Sequence, residues 1–180
     1  LVADLPYPDL KSRRGDGRAS VDLSLNGEAL ALGGIETTSP TARIKFSGQT
    51  SGWIETFRIV GDLTGDVGAA RLAGQGLAAT APGLSLTGSK LELSRQDAGD
   101  LRWSVEGPAE ARAARASAGE LTFADLKAAS GALSVGGHGA AVEATGPVTL
   151  TAATAGFGDL MLSRVTGAAE LDVAQRDGAV

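Results

Sequence analysis

The sequence predicts an all-β chain: many short, mainly antiparallel strands in a curved sheet forming a hydrophobic groove, taco-shaped or like an opened barrel, as a fragment of a longer repetitive protein. Three observations predict it. Apolar and polar residues alternate along most of the chain, the period of a strand with one greasy and one wet face. Glycine fills 26 of 180 positions, about double the usual share of roughly 7%, which suits tight turns. The apolar set is aliphatic (Leu, Ala and Val) and only 4% of residues are aromatic.

Residues 1–18, with Pro6, Pro8 and the basic run KSRRGDGR at 11–18, are expected as a leading connector, and 19–180 as a single β-sheet groove segment. The opening LVADLPYPDL, without Met, reads as a piece of a longer protein. In SVDLSLNG, Val21, Leu23 and Leu25 point one way and Asp22, Ser24 and Asn26 the other. TARIKFSG alternates Ala42, Ile44 and Phe46 with Arg43 and Lys45. In SGWIETFRIV, Trp53, Phe57 and Ile59 share one parity while Ile54 and Val60 take the other, as in a strand buried on both sides or carrying a bulge. Leu84 with Leu86, Leu91 with Leu93, and Leu101, Trp103 and Val105 continue the figure.

The stretch 107–130 is rich in Ala, Glu and Arg, all good helix formers. Its large apolar residues keep no 3.6-residue spacing, and Ala109, Ala111 and Ala113 alternate with Glu110 and Arg112, so strand is expected there too. Leu121 with Phe123, Leu133 with Val135, Val142 with Ala144, Val148 with Leu150, Leu160 with Leu162, and Ala169, Leu171 and Val173 complete the series. Glycines such as Gly48, Gly61, Gly65, Gly88, Gly107 and Gly146 read as punctuation between about twelve to fifteen strands.

Little of the chain carries chemistry. A net charge of −5 argues against nucleic acid as a partner, and the basic run reads as a solvated loop, with lipid headgroups or a partner as the sharper reading. There is no cysteine, and no run approaches the roughly 18 apolar residues of a membrane-spanning helix. His138, the single histidine, sits in GGHGA as an exposed turn residue and supplies neither a Ser-His-Asp relay nor a metal cluster. GDLTGDVG brings Asp62 and Asp66 near glycines but lacks the oxygen-ligand density of a calcium loop. Glu55 reads as the polar member of a two-sided strand. No enzyme activity, metal or cofactor is expected; an all-β hydrolase or lyase would need a polar cleft drawing on groups such as His138, Glu55 and Asp62.

A continuous apolar face has to be covered by a second sheet, by barrel closure or by a foreign apolar molecule. Scarce aromatics fit poorly with a compact sandwich core or the girdles of an outer-membrane barrel. Smooth aliphatic walls suit acyl chains. The phrases VDLSLNGEALALGG, GLAATAPGLSLTGSKLELSR, GALSVGGHGAAVEATGPVTLTA and GDLMLSRVTGAAELDVA, within 19–173, resemble the strand arrays of the AsmA-like superfamily of Gram-negative bacteria, of TamB and YdbH type, with the YdbH branch favoured. The match is one of texture, since the family has no fixed catalytic signature.

The resemblance implies a lipid-binding segment of an envelope-spanning bridge. Such a bridge guides phospholipid acyl chains through the periplasm between inner and outer membranes, its parent anchored in the inner membrane, with room for an outer-membrane protein or lipoprotein partner. The groove candidates are Leu84, Leu86, Leu91, Leu93, Leu133, Val135, Val148, Leu150, Leu160, Leu162, Leu171 and Val173. The alternative is a structural or adhesive β-solenoid whose closed core is filled by those same side chains, although its usual Asn, Ser and Thr ladders are missing.

Overall fold

The alternating stretches join into strands longer than the glycine spacing suggests. The computed structural model describes residues 2–4, 14–139 and 141–175, and these build one antiparallel sheet of thirteen strands. They are β1 (Val2–Asp4), β2 (Gly17–Asn26), β3 (Ala29–Leu32), β4 (Ile35–Thr38), β5 (Thr41–Trp53), β6 (Thr56–Gly68) and β7 (Arg71–Gly74). There follow β8 (Leu77–Thr80), β9 (Gly83–Arg95), β10 (Arg102–Ala118), β11 (Leu121–His138), β12 (Ala141–Phe157) and β13 (Leu160–Gln175). The main path runs β1-β2-β5-β6-β9-β10-β11-β12-β13, and a short strip β3-β4-β7-β8 joins it where β8 pairs with the end of β10. The expected all-β, antiparallel, open and curved sheet is what forms, and the Ala-rich stretch 107–130 is strand in β10 and β11.

The four short strands are continuations of long ones. β2 runs on into β3, β4 into β5, β6 into β7 and β8 into β9, each across a two-residue break. The breaks line up. The Ser39 N–H donates to Glu28 O at 2.8 Å, Ala70 N–H to Thr38 O at 2.9 Å, and Ala81 N–H to Ala70 O at 2.9 Å. Pro40 and Pro82 sit in the breaks, where a residue without an N–H interrupts the ladder at least cost. Ser39 (φ 48°) and Ala81 (φ 48°) are left-handed there, and the same line continues through Asp125 (φ 51°) in β11 and Arg164 (φ 53°) in β13. The sheet is thus a meander of long traverses, all bent along one line that crosses them at right angles.

A second irregular line crosses β9 to β12. Register shifts occur at Glu106/Ala109, Gly107/Ala109 and Ala129/Ser134. Pro108 and Pro147, each inside a central strand, fall in these shifts, as a residue that cannot donate to the ladder must. Ser89, fully buried, donates its hydroxyl to Pro108 O at 3.2 Å, so its polar atom is satisfied.

Among the described residues every strand neighbours only the strands it is hydrogen-bonded to, and only six side chains are buried. The core is correspondingly thin: Ala19, Phe46 and Leu63, with Val21, Ile44, Ile59, Leu86, Leu91 and Val105 packed around them.

Three local expectations change. Ile54 and Glu55 form the turn between β5 and β6, so Trp53 faces away from Phe57 and Ile59 rather than sharing their side. Gly48, Gly61, Gly65, Gly107 and Gly146 lie inside strands, not between them. Asp62 and Asp66, read near a turn, are mid-strand in β6. Of the connector at 1–18, β1 pairs with β2 as an outer strand, while 5–13, including Lys11, Ser12 and Arg13 of the basic run, lie outside the described residues.

Candidate functional site: the apolar face

Directly paired residues of an antiparallel sheet share a face, so register assigns every side chain to a side. One row runs Ala19, Gly48, Gly61, Leu91, Val105, Val135, Ala144 and Val173 across eight strands. A parallel row runs Leu25, Ala42, Val67, Leu84, Ala111, Ala128, Leu150 and Gly167. Leu84 and Leu91 have opposite parity in sequence yet share this face, because β9 carries one extra residue around Gly88 (φ 67°). The shift near Gly131 does the same for Ala128 and Leu133 on β11. Leu86 and Leu93 belong to this face through Ala109 and Trp103, Val148 through Ala169, and Leu171 through Gly146.

Beyond the bend the apolar residues change parity. Leu23 and Leu25 are odd and Leu30 and Leu32 even; Leu171 and Val173 are odd and Leu160 and Leu162 even. On alternate traverses the slip falls at a left-handed residue (Ser39, Ala81, Asp125 and Arg164), which does not make the half-turn of an extended one; the strands between them change parity alongside these residues without a left-handed residue of their own. The apolar set therefore stays on one side of the bent sheet. Leu160 joins a row with Phe157, Leu121, Leu77 and Ile35, and Leu162 one with Ala155, Phe123, Ala116 and Ala79. All twelve candidates are placed on this surface, ten on the main strip and Leu160 and Leu162 past the bend. The sequence reading left out Phe46, Ile59, Trp103, Phe123 and Phe157, which share the surface; their alternation was visible, but only register shows which parity of each strand joins which.

This face is open. Leu84, Leu121, Leu150, Leu160, Leu162, Phe157 and Val173 are exposed, and Leu32 is 77% exposed. The side chains that are hidden (Ala19, Phe46, Leu63, Ser89, Ala113 and Ala152) all lie on it too. Small residues on the opposite face, such as Ser24 and Ser47, stand free. The total accessible area of 12124 Å² is about 1.5 times the roughly 8,000 Å² expected of a compact chain of 18.0 kDa.

The opposite face is charged and carries cross-strand ion pairs: Lys45–Asp22 at 3.4 Å, Lys90–Asp62, and the fork from Arg58 to Glu92 with both bonds at 2.8 Å. That fork holds the Glu92 carboxyl below its ordinary value, the hydrogen bond from Arg58 being the main cause. The hollows among the described residues are open depressions, some lined chiefly by apolar groups such as Ala129, Pro147 and Ala168. One, of about 620 Å³, is lined by Ser24, Arg43, Asp66, Ser85 and Arg112 at the bend. Glu55 is exposed in a turn and His138 exposed at the end of β11, and neither joins a cluster of metal-ligating groups among the described residues. No family model, curated protein or solved structure matches this chain.

Proposed function

We propose that the chain is a lipid-binding segment whose apolar face receives acyl chains, as part of an AsmA-like bridge that guides phospholipid through the periplasm between inner and outer membranes. The observation that supports this most is an apolar face eight strands wide with no second layer of described residues upon it and many of its side chains exposed. Its walls are Leu, Val and Ala, which accept a flexible hydrocarbon without directional demands, at about 0.8 kcal/mol per methylene buried. Aliphatic contact has no stereochemical preference along the groove, so a chain can slide at little cost, and the reading calls on no catalytic group. A closed solenoid would fill its interior with its own side chains, and the single layer of described residues offers no such interior.

Leu150 faces the apolar side, and its neighbour Thr149, whose hydroxyl donates to Ala129 O at 3.1 Å, faces the other. A benzophenone amino acid placed at each position in cells, followed by mass spectrometry of the adducts, tests the reading. Lipid adducts are expected at Leu150 and few at Thr149. Adducts at Leu150 to protein alone would overturn it.

A further inference from the structure

Register puts one charged residue on the apolar face: Arg95, at the end of β9, directly opposite Phe57 of β6 and two positions beyond Leu93. Every other Lys, Arg, Asp and Glu of β2 to β13 lies on the opposite face, apart from Asp125 and Arg164 at the bend. Arg95 is half-buried and held in place. Its Nε–H donates to Gly99 O at 2.8 Å and its Nη2 to Ala98 O at 3.0 Å, which leaves Nη1 without a partner among the described residues. The loop it grips is tied to the neighbouring hairpin, Ala98 N–H donating to Glu55 O at 2.8 Å and Asp97 N–H to Thr56 Oγ1 at 3.1 Å. The traverses end at two rims, one on either side of the bend, and these differ. At the Arg95 rim Phe57 and Trp103, the latter opposite Leu93 on β10, bring aromatic surface to the apolar face where it meets water. At the other rim the turns carry Gln75, Glu120 and Asp159 and no Lys or Arg.

We propose that Arg95 binds the phosphate of a phospholipid whose acyl chains lie on the apolar face, so that the headgroup sits at this rim and the tails run toward the bend. The inference rests on the lipid-binding reading above and adds to it a headgroup contact and an orientation. Arginine suits the task because its planar fork matches phosphate oxygens. The bonds to Gly99 O and Ala98 O already fix the guanidinium, so little side-chain freedom is lost when a ligand arrives. Glu55, Asp97 and Asp100 lie in the turns of the same rim, so the contact depends on a placed donor and not on the net charge around it.

The test uses the 180-residue chain and two amphiphiles with the same tail, dodecylphosphocholine and dodecyl maltoside, titrated below their micellar concentrations by calorimetry. Wild type is expected to bind dodecylphosphocholine about tenfold more tightly. Arg95→Gln should abolish that preference and leave the affinity for dodecyl maltoside unchanged, while Arg95→Lys keeps part of it. A second measurement needs no variant: the side-chain N–H resonances of Arg95 should shift with dodecylphosphocholine and stay in place with dodecyl maltoside or inorganic phosphate. A preference that survives Arg95→Gln, or a variant that loses both affinities equally because Arg95 only supports its loop, would overturn the headgroup contact and leave the lipid-binding reading standing. Inorganic phosphate moving the Arg95 resonances as far as the lipid analogue does would make this a site for the free anion and also overturn it. If wild type binds neither amphiphile, the lipid-binding reading fails and the headgroup contact fails with it.

Discussion

Phe46 is the largest side chain hidden among the described residues, and it is hidden by lying over a pair of glycines. Gly48 and Gly61 face each other across β5 and β6, and a Cβ on Gly61 would stand 2.5 Å from the Gly48 Cα and 2.7 Å from the Phe46 ring. The glycines let the ring fold down onto backbone, which puts an aromatic surface into a core otherwise built of aliphatic side chains. Gly61→Ala is therefore expected to cost about 1–3 kcal/mol in urea unfolding. Gly167→Ala, where a Cβ meets nothing within 4 Å, should stay within about 0.5 kcal/mol. Equal losses at the two positions would show that the ring does not depend on the gap. The corner residues obey the opposite logic. Ala81 holds φ 48° without the local hydrogen bond that an Asn or Asp side chain can make. Left-handed backbone costs an alanine roughly 1–2 kcal/mol, and glycine's extra chain entropy returns roughly 0.5–1 of that. Ala81→Gly should thus raise stability by up to about 1 kcal/mol, read as a higher midpoint in thermal unfolding, and a lowered midpoint would mean the corner is not left-handed.

At the scale of strands, the charged face fixes register by opposite-charge pairs whose members are all substantially exposed, so each contributes little and is screened by salt. The Arg58–Glu92 fork makes the sign testable. Because the folded carboxyl is held below 4.5, its contribution is complete above the unfolded value and is lost as pH falls through the lowered folded one. Wild type should exceed Glu92→Gln in stability at pH 6, and the difference should shrink below about pH 4.5 in low salt. A difference that stays constant down to pH 3 would show that ionisation of Glu92 contributes nothing. Strand existence was readable from alternation alone, even in the Ala-rich stretch now divided between β10 and β11, because alternation is a property of neighbours in sequence. What joined Leu84 to Leu91, or Leu162 to Leu171, was not readable. Those pairs change parity across Gly88 and Arg164, and whether such a residue ends a strand, bulges it or bends it depends on the partner strand. The glycines misled for the same reason: Gly48 and Gly61 answer a close cross-strand approach, which has no local signature. Trp53 misled because its alternation with Phe57 runs through a turn.

For the whole molecule, a single bent layer is a shape that ordinary folding energetics disfavours, since half of each strand's side chains gain no partner across the sheet. The strands of β10 to β13 hold 17, 18, 17 and 16 residues, which at about 3.3 Å per residue reach roughly 55 Å. Eight traverses about 4.8 Å apart span nearly 40 Å in the other direction. Laid flat, a plate of that size has a radius of gyration of about 20 Å, which the bend lowers to about 18 Å, against about 16 Å for a compact domain of equal length. Small-angle scattering of the monomer separates the two. A value of about 18 Å or more means that the apolar face stays open, available to lipid, and that bound amphiphile should add mass on that face without reordering the strands. A value near 16 Å means that the sheet folds its apolar side onto itself along the line of Ser39, Ala81, Asp125 and Arg164. The face would then be a closed core, and the lipid-binding reading would fail even with every strand in its present register.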